Sequence, residues 1–225
     1  MRFPRLHQTT AILVALLTAT TLYGQDTRPS AAPTSRPVPA TAYVLMTTSL
    51  GDILLELNGK KAPITVANFL SYTDKGFYDG TIFHRVMSTF MIQGGGFTPG
   101  MTKKPIDPTI KNEWRNGLKN NRGTISMARI GGQPDSASSQ FFINVLNNPS
   151  LDRPQRDGAA YAVFGHVVVG MDTVDKIRDV DVGMKKGRQN VPIVTVMIEK
   201  VRQVSDADAR KLIKAAKKPP TSRPG

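Results

Sequence analysis

Apolar positions along the chain fall in short β-branched runs broken by turn-forming residues. Tyr43–Thr48 and Ile53–Leu57 are two such runs, and Ser49-Leu50-Gly51-Asp52 between them is a hairpin signal. At Pro63 the period changes. Val66, Phe69 and Leu70 fall at i, i+3 and i+4, and Gly76 stands where a helix stop belongs. Short apolar runs then resume at Ile82-Phe83, Phe90–Ile92, Ile125–Ala128, Phe141–Val145 and Tyr161–Phe164, punctuated by Gly, Pro or Asn. Gly170–Val180 carries Met171, Val174 and Ile177 on one side and predicts a second helix, and Ile193–Val201 reads as the closing strand. Many short strands with two helices predict a mainly β domain over residues 42–204, a closed antiparallel barrel with helical caps.

The two ends read differently. In residues 1–24, Arg2 and Arg5 precede the apolar stretch Ala11–Leu17, and Thr18–Gly24 follows, ending in the small residue Gly24. That is the order of an export signal, and the run is short of the roughly 20 apolar residues that a membrane span needs. A periplasmic or extracellular location follows as an expectation. Residues 25–41, rich in Pro, Ala, Ser and Thr, predict an extended, mobile linker. Residues 205–225 predict a basic helical tail. Ser205 and Asp208 fit a capping box, lysines gather toward the helix end, and Leu212 and Ile213 alone offer weak docking.

Charge and composition narrow the chemistry. Lys and Arg number 30 against 17 acids, a formal net charge of +13. Such a balance favours anionic partners, yet no nucleic-acid-binding motif accompanies it, so a weak anionic-surface contact through the tail is expected and nucleic acid is not. The chain has no cysteine and three histidines, His7, His84 and His166, without metal-ligand spacing. Neither a metal nor another cofactor is implied.

The segment Phe83–Phe97, FHRVMSTFMIQGGGF, places Arg85, Phe90, Met91 and Gln93 within nine residues. Strand alternation predicts Phe90 and Ile92 on one face, Met91 and Gln93 on the other, and His84 turned away from Arg85 as a structural histidine. Ser138, Ser139 and Asp135 lack a nucleophile elbow, and Asn112 and Glu113 read as local hydrogen-bonding residues.

Two blocks, Thr81–Phe97 (TIFHRVMSTFMIQGGGF) and Gly123–Asn144 (GTISMARIGGQPDSASSQFFIN), together resemble the cyclophilin signature. YAVFGHVV at Tyr161–Val168 and the GMDTVDKI that follows extend the resemblance over about Tyr43–Val201, with the short central region of the bacterial branch. The resemblance implies an eight-stranded closed barrel with two capping helices and peptidyl-prolyl cis-trans isomerase activity. Arg85 takes the place of the catalytic arginine. Phe90, Met91, Phe142 and Leu151 take the places of the proline-pocket lining, and Gln93, Ala128, Arg129 and Gln140 those that hold the flanking peptide. Arg129 stands where an asparagine is frequent in the family, Tyr161 at a pocket position that is histidine in many relatives, and Ser150 where tryptophan or phenylalanine is common. The implied partners are proline-containing polypeptides, as exported proteins fold, bound by a monomer. A proline-segment-binding chaperone with incidental catalysis is the alternative.

Overall fold

A computed structural model describes residues 37–217; the expectations for residues 1–36 and 218–225 lie outside that range. Thr41–Thr48 (β1) and Gly51–Asn58 (β2) form the predicted hairpin in full register. Pro63–Asp74 is α1. Short strands follow at Thr81–Ile82 (β3), Arg85–Met87 (β4), Met91–Gly94 (β5), Thr124–Met127 (β6) and Phe141–Asn144 (β7). After a 3-10 turn at Pro149–Asp152 come Val163–Val169 (β8) and Met171–Arg178 (α2). Val182–Lys185 (β9), Arg188–Pro192 (β10), Met197–Val204 (β11) and Asp206–Ala216 (α3) complete the described chain.

Nine strands make one antiparallel sheet in the order β3-β11-β1-β2-β8-β6-β7-β5-β4. The count exceeds the eight strands implied by the resemblance because the run 81–87 is broken at Phe83-His84. Its first half pairs with β11 and its second with β5. The sheet curls around a core of Val44, Met46, Leu55, Leu57, Ile92, Ile125, Ile143 and Val201. The helices seal it: Val66 and Phe69 of α1 and Val174 and Ile177 of α2 are wholly buried there. Phe69 meets Tyr78, Phe164 and Phe141 at 5.0, 5.3 and 5.7 Å between ring centroids, spacings at which aromatic pairs attract.

Three expectations need correction, and one hairpin is not among the expected elements. The closing strand begins at Met197, not Ile193; Ile193 and Val194 are exposed in the approach to it. β9 and β10, for which the apolar pattern gives no expectation because both are short and mix apolar with charged residues, form a separate hairpin turning at Lys186-Gly187, both with positive φ (48° and 74°). The last linker residues are not loose. Val38 packs on the core, and Lys60 N donates to Ala40 O at 3.2 Å, so the domain effectively starts at Pro37. The tail helix docks, but through Ala209 and Ile213 rather than Leu212. They cover Leu45 and Leu54 on the outer face of β1 and β2, while Leu212 is exposed.

Candidate active site

Arg85 opens β4 and is paired across the ladder with Gln93 of β5. Its side chain is therefore carried on the outside of the sheet. Residues two apart on a strand share a face, which brings Met87 alongside: Arg85 Nη2 contacts Met87 Sδ at 3.1 Å. Arg85 Nη1 lies 3.5 Å from Gln93 Oε1, at the limit of a hydrogen bond, and Gln93 Nε2 donates to Gln140 Oε1 at 3.0 Å. Met87 is the contact that the sequence reading passed over, although its i+2 spacing from Arg85 was the available signal.

Beside the guanidinium lies a shallow open pocket of about 100 Å³, lined by Arg85, Phe90, Met91, Gln93, Ala128, Arg129, Phe142, Leu151 and Tyr161. Met91, Phe142 and Leu151 form its buried floor, and Phe90, Ala128 and Tyr161 pack around them. Phe142 and Tyr161 meet edge to face, 5.8 Å apart at 76°. Gln140 does not line the cavity; it stands behind Gln93 and fixes that amide. The face assignment of Phe90 is also corrected. Phe90 belongs to the turn before β5, where alternation does not apply, so it joins Met91 at the pocket while Ile92 enters the core.

Local chemistry explains why these residues meet. Gly95 has φ +77°, and a Cβ there would stand 2.7 Å from the Phe141 ring; one on Gly96 would stand 2.5 Å from Gln140. The glycines thus let the end of β5 lie against the segment that carries Gln140 and Phe142. Below the pocket is a buried amide network. Asn144 Nδ2 donates to Asn120 Oδ1 (3.1 Å), Asn148 Nδ2 to Asn144 Oδ1 (2.7 Å) and to the Phe90 carbonyl (2.8 Å). The backbone N–H of Asn120 donates to Asp152, next to Leu151, at 2.8 Å. Satisfied networks of this kind specify one arrangement of the groups they join, here Phe90 and Leu151.

His84 is buried on the other side of β4, its ring 4.5 Å from that of Phe97. Burial, reinforced by the Arg188 charge, lowers its pKa to about 4, so it is neutral at pH 7. Glu113 is not a local hydrogen-bonding residue. It caps α1 from far along the chain, accepting from the backbone N–H groups of Ile64 (3.0 Å) and Thr65 (2.8 Å). Asn112 likewise reaches across, donating to the Ala160 carbonyl at 3.0 Å.

A largely apolar pocket lined by two arginines, Arg85 and the Asp157-paired Arg129, with no cysteine or serine among its lining residues, is equipped to bind and polarise a small ring rather than to form a covalent bond with it. Comparison with known proteins agrees. The family model described as "Cyclophilin type peptidyl-prolyl cis-trans isomerase/CLD" matches residues 43–203. Peptidyl-prolyl cis-trans isomerase A of Dickeya dadantii is 53% identical over 160 residues, covering 71% of this chain and 83% of its own length. Peptidyl-prolyl cis-trans isomerase B of Escherichia coli is 53% identical over 156 residues, covering 68% and 94%. A cyclophilin-type isomerase of Cryptosporidium parvum, solved in the presence of the dipeptide Ala-Pro, superposes with a TM-score of 0.62 at 30% identity over 73% of this chain and 99% of its own. The chain belongs to the cyclophilin-type peptidyl-prolyl cis-trans isomerase family, and its relatives of high identity are bacterial.

Proposed function

We propose that this protein catalyses cis–trans isomerisation of X-Pro bonds, with the proline ring held in the pocket of Phe90, Met91, Phe142, Leu151 and Tyr161 and Arg85 acting on the prolyl nitrogen. The observation that carries the reading is the guanidinium of Arg85 at the edge of an otherwise largely apolar cavity. The planar bond resists rotation by about 18–20 kcal/mol. At the twisted transition state conjugation is lost and the prolyl nitrogen gains a lone pair. A donor aimed at that nitrogen stabilises the twisted form over the planar one. Arginine suits the task because it stays charged and its donors form a rigid fork. Gln93, backed by Gln140, holds Arg85, and Gln93, Ala128 and Arg129 border the path of the flanking peptide. A barrier lowered by about 7 kcal/mol gives roughly 10⁵-fold acceleration, and the step transfers no proton and needs no nucleophile. Arg85→Ala is expected to lose about 10²–10³-fold in kcat/KM on a proline tetrapeptide, with an unchanged far-UV spectrum. Full activity in that folded variant removes Arg85 from the mechanism. Catalysis lost with peptide affinity kept would separate the enzyme from the chaperone reading.

The same reading extends to the whole chain. Residues 1–24 direct export, the linker, shortened from 25–41 to 25–36 by the packing of Val38, tethers a domain that begins at Pro37, and the protein works as a monomer on exported polypeptides outside the cytoplasm. The order of charged, apolar and small residues at the start of the chain supports this. The excess of Lys and Arg in residues 205–225 supports a weak contact with anionic surfaces. Counted with 81–87 as one interrupted strand, the sheet is a closed eight-stranded barrel. The hydrogen bonds Phe83 N to Val196 O and His84 N to Gln93 O, both 3.0 Å, bind that run on either side and support this count.

A further inference from the structure

The chain leaves the pocket at Leu151 and returns to it at Tyr161. Past the 3-10 turn, residues 153–160 form no regular element, and Arg153, Pro154, Gln155, Arg156 and Gly158 are exposed. Such a loop has little apolar burial to hold a single return path. Asp157 supplies a path by turning inward. Its carboxylate accepts from Arg129 Nη1 (2.5 Å) and Nη2 (3.1 Å), and from the backbone N–H groups of Gly132 (2.9 Å) and Ala159 (3.2 Å). Both side chains are nearly inaccessible, Arg129 at 2% and Asp157 at 8%.

The arginine is as fully engaged as the acid. Besides Asp157, Nη2 donates to the Ala159 carbonyl at 2.6 Å and Nε to that of Ala160 at 3.3 Å. The guanidinium lies 4.6 Å from the centroid of the Tyr161 ring, and Tyr161 in turn stands edge-on to Phe142 of the pocket floor. The Arg129 hydrogen bonds hold the Asp157 carboxyl below its ordinary pKa against the opposing effect of burial, so the pair is charged at neutral pH. A line of contact thus runs from Asp157 through Arg129 and Tyr161 to Phe142. We propose that Asp157 is a positioning residue of the isomerase site: acting through Arg129, it sets the Tyr161 wall against which the proline ring is held. The inference rests on the isomerase reading above and gives a task to an acid outside the pocket lining.

Asp157→Asn keeps the size of the side chain and removes its charge, leaving Arg129 buried without a counter-ion. On a proline tetrapeptide, at a temperature where the variant is folded, KM is expected to rise about tenfold with kcat within about threefold. A purely structural role would lower the melting temperature and leave KM alone. Arg129→Gln combined with Asp157→Asn should match Arg129→Gln by itself, because the acid works through the arginine. Amide exchange provides a readout that needs no turnover: Gly132, Ala159 and Tyr161 should exchange about tenfold faster or more in Asp157→Asn. An inactive wild type would overturn the isomerase reading, while exchange would still decide whether the clamp exists. Wild-type KM in Asp157→Asn, effects of the two substitutions that multiply, or unchanged exchange at those amides would each overturn the clamp.

Discussion

Individual side chains divide into those that act alone and those that act through another, and His84 shows what the first kind contributes to stability. It is neutral in the folded protein because burial holds its pKa near 4, against about 6.5 when unfolded. Between these values the unfolded chain binds a proton that the folded chain refuses, so stability falls as pH falls from about 6.5 to about 4, by about 3 kcal/mol in all. Asp157 and Asp175, whose pKa values are depressed by Arg129 and Arg122, act in a separate window. Their contribution is present above the ordinary carboxylate pKa and is lost only as pH drops through their lower folded values. Melting temperatures at pH 7, 5.5 and 4.5 should therefore decline in the wild type and decline far less in His84→Gln. Equal slopes would show that another group governs this range. Residues such as Arg85, Met91 and Gln93 were legible in the sequence because one short motif on adjacent strands carries them. Asp157 and Glu113 were not: each works on a partner more than 20 residues away, across a distance only the folded chain closes.

At the scale of elements, hydrophobic period located the β1–β2 hairpin and both capping helices to within a few residues. It failed where period gives no information. β9 and β10 are short and mix apolar and charged residues without a sustained alternation, and their hairpin turns on two residues of positive φ. α3 illustrates a different gap, since period marked Leu212 and Ile213 but could not say that a buried alanine, Ala209, allows the close approach to β1 and β2. That packing makes the helix a cover for Leu45, Leu54 and part of Tyr43, Val168 and Val169. Ending the chain after Val204 should therefore lower stability by about 2–3 kcal/mol, from the apolar area returned to water. For a domain of this size that is a fall of roughly 5–10 °C in melting temperature. Isomerase kcat/KM at 10 °C should be unchanged, because none of the pocket residues touches α3. A truncated form with wild-type melting temperature would mean that the helix is not docked in solution.

Charge is the property of the whole molecule that the composition announces, and α3 concentrates it. Arg210, Lys211, Lys214 and Lys217 are all exposed, while Asp206 and Asp208 lie at the start of the helix, where they complement its dipole. Lys211 also approaches Asp208 at 3.1 Å, an exposed pair that neutralises part of the patch without holding it in place. An anionic polymer or lipid surface would meet the remaining cations on one outward flank, over β1 and β2, and the pocket would stay free. Truncation would confuse this effect with the stability loss expected above, so the informative variant keeps the helix. Arg210→Gln, Lys211→Gln, Lys214→Gln and Lys217→Gln together leave Ala209 and Ile213 in their seats and remove four charges. On a dextran sulfate column at about 0.05 M salt, the four-fold variant should elute clearly ahead of the wild type. The difference should vanish near 1 M, where the Debye length has shrunk to about 3 Å. Co-elution at low salt would assign the basic charge to a solvated surface with no partner, and a difference that survives high salt would overturn the attribution to charge.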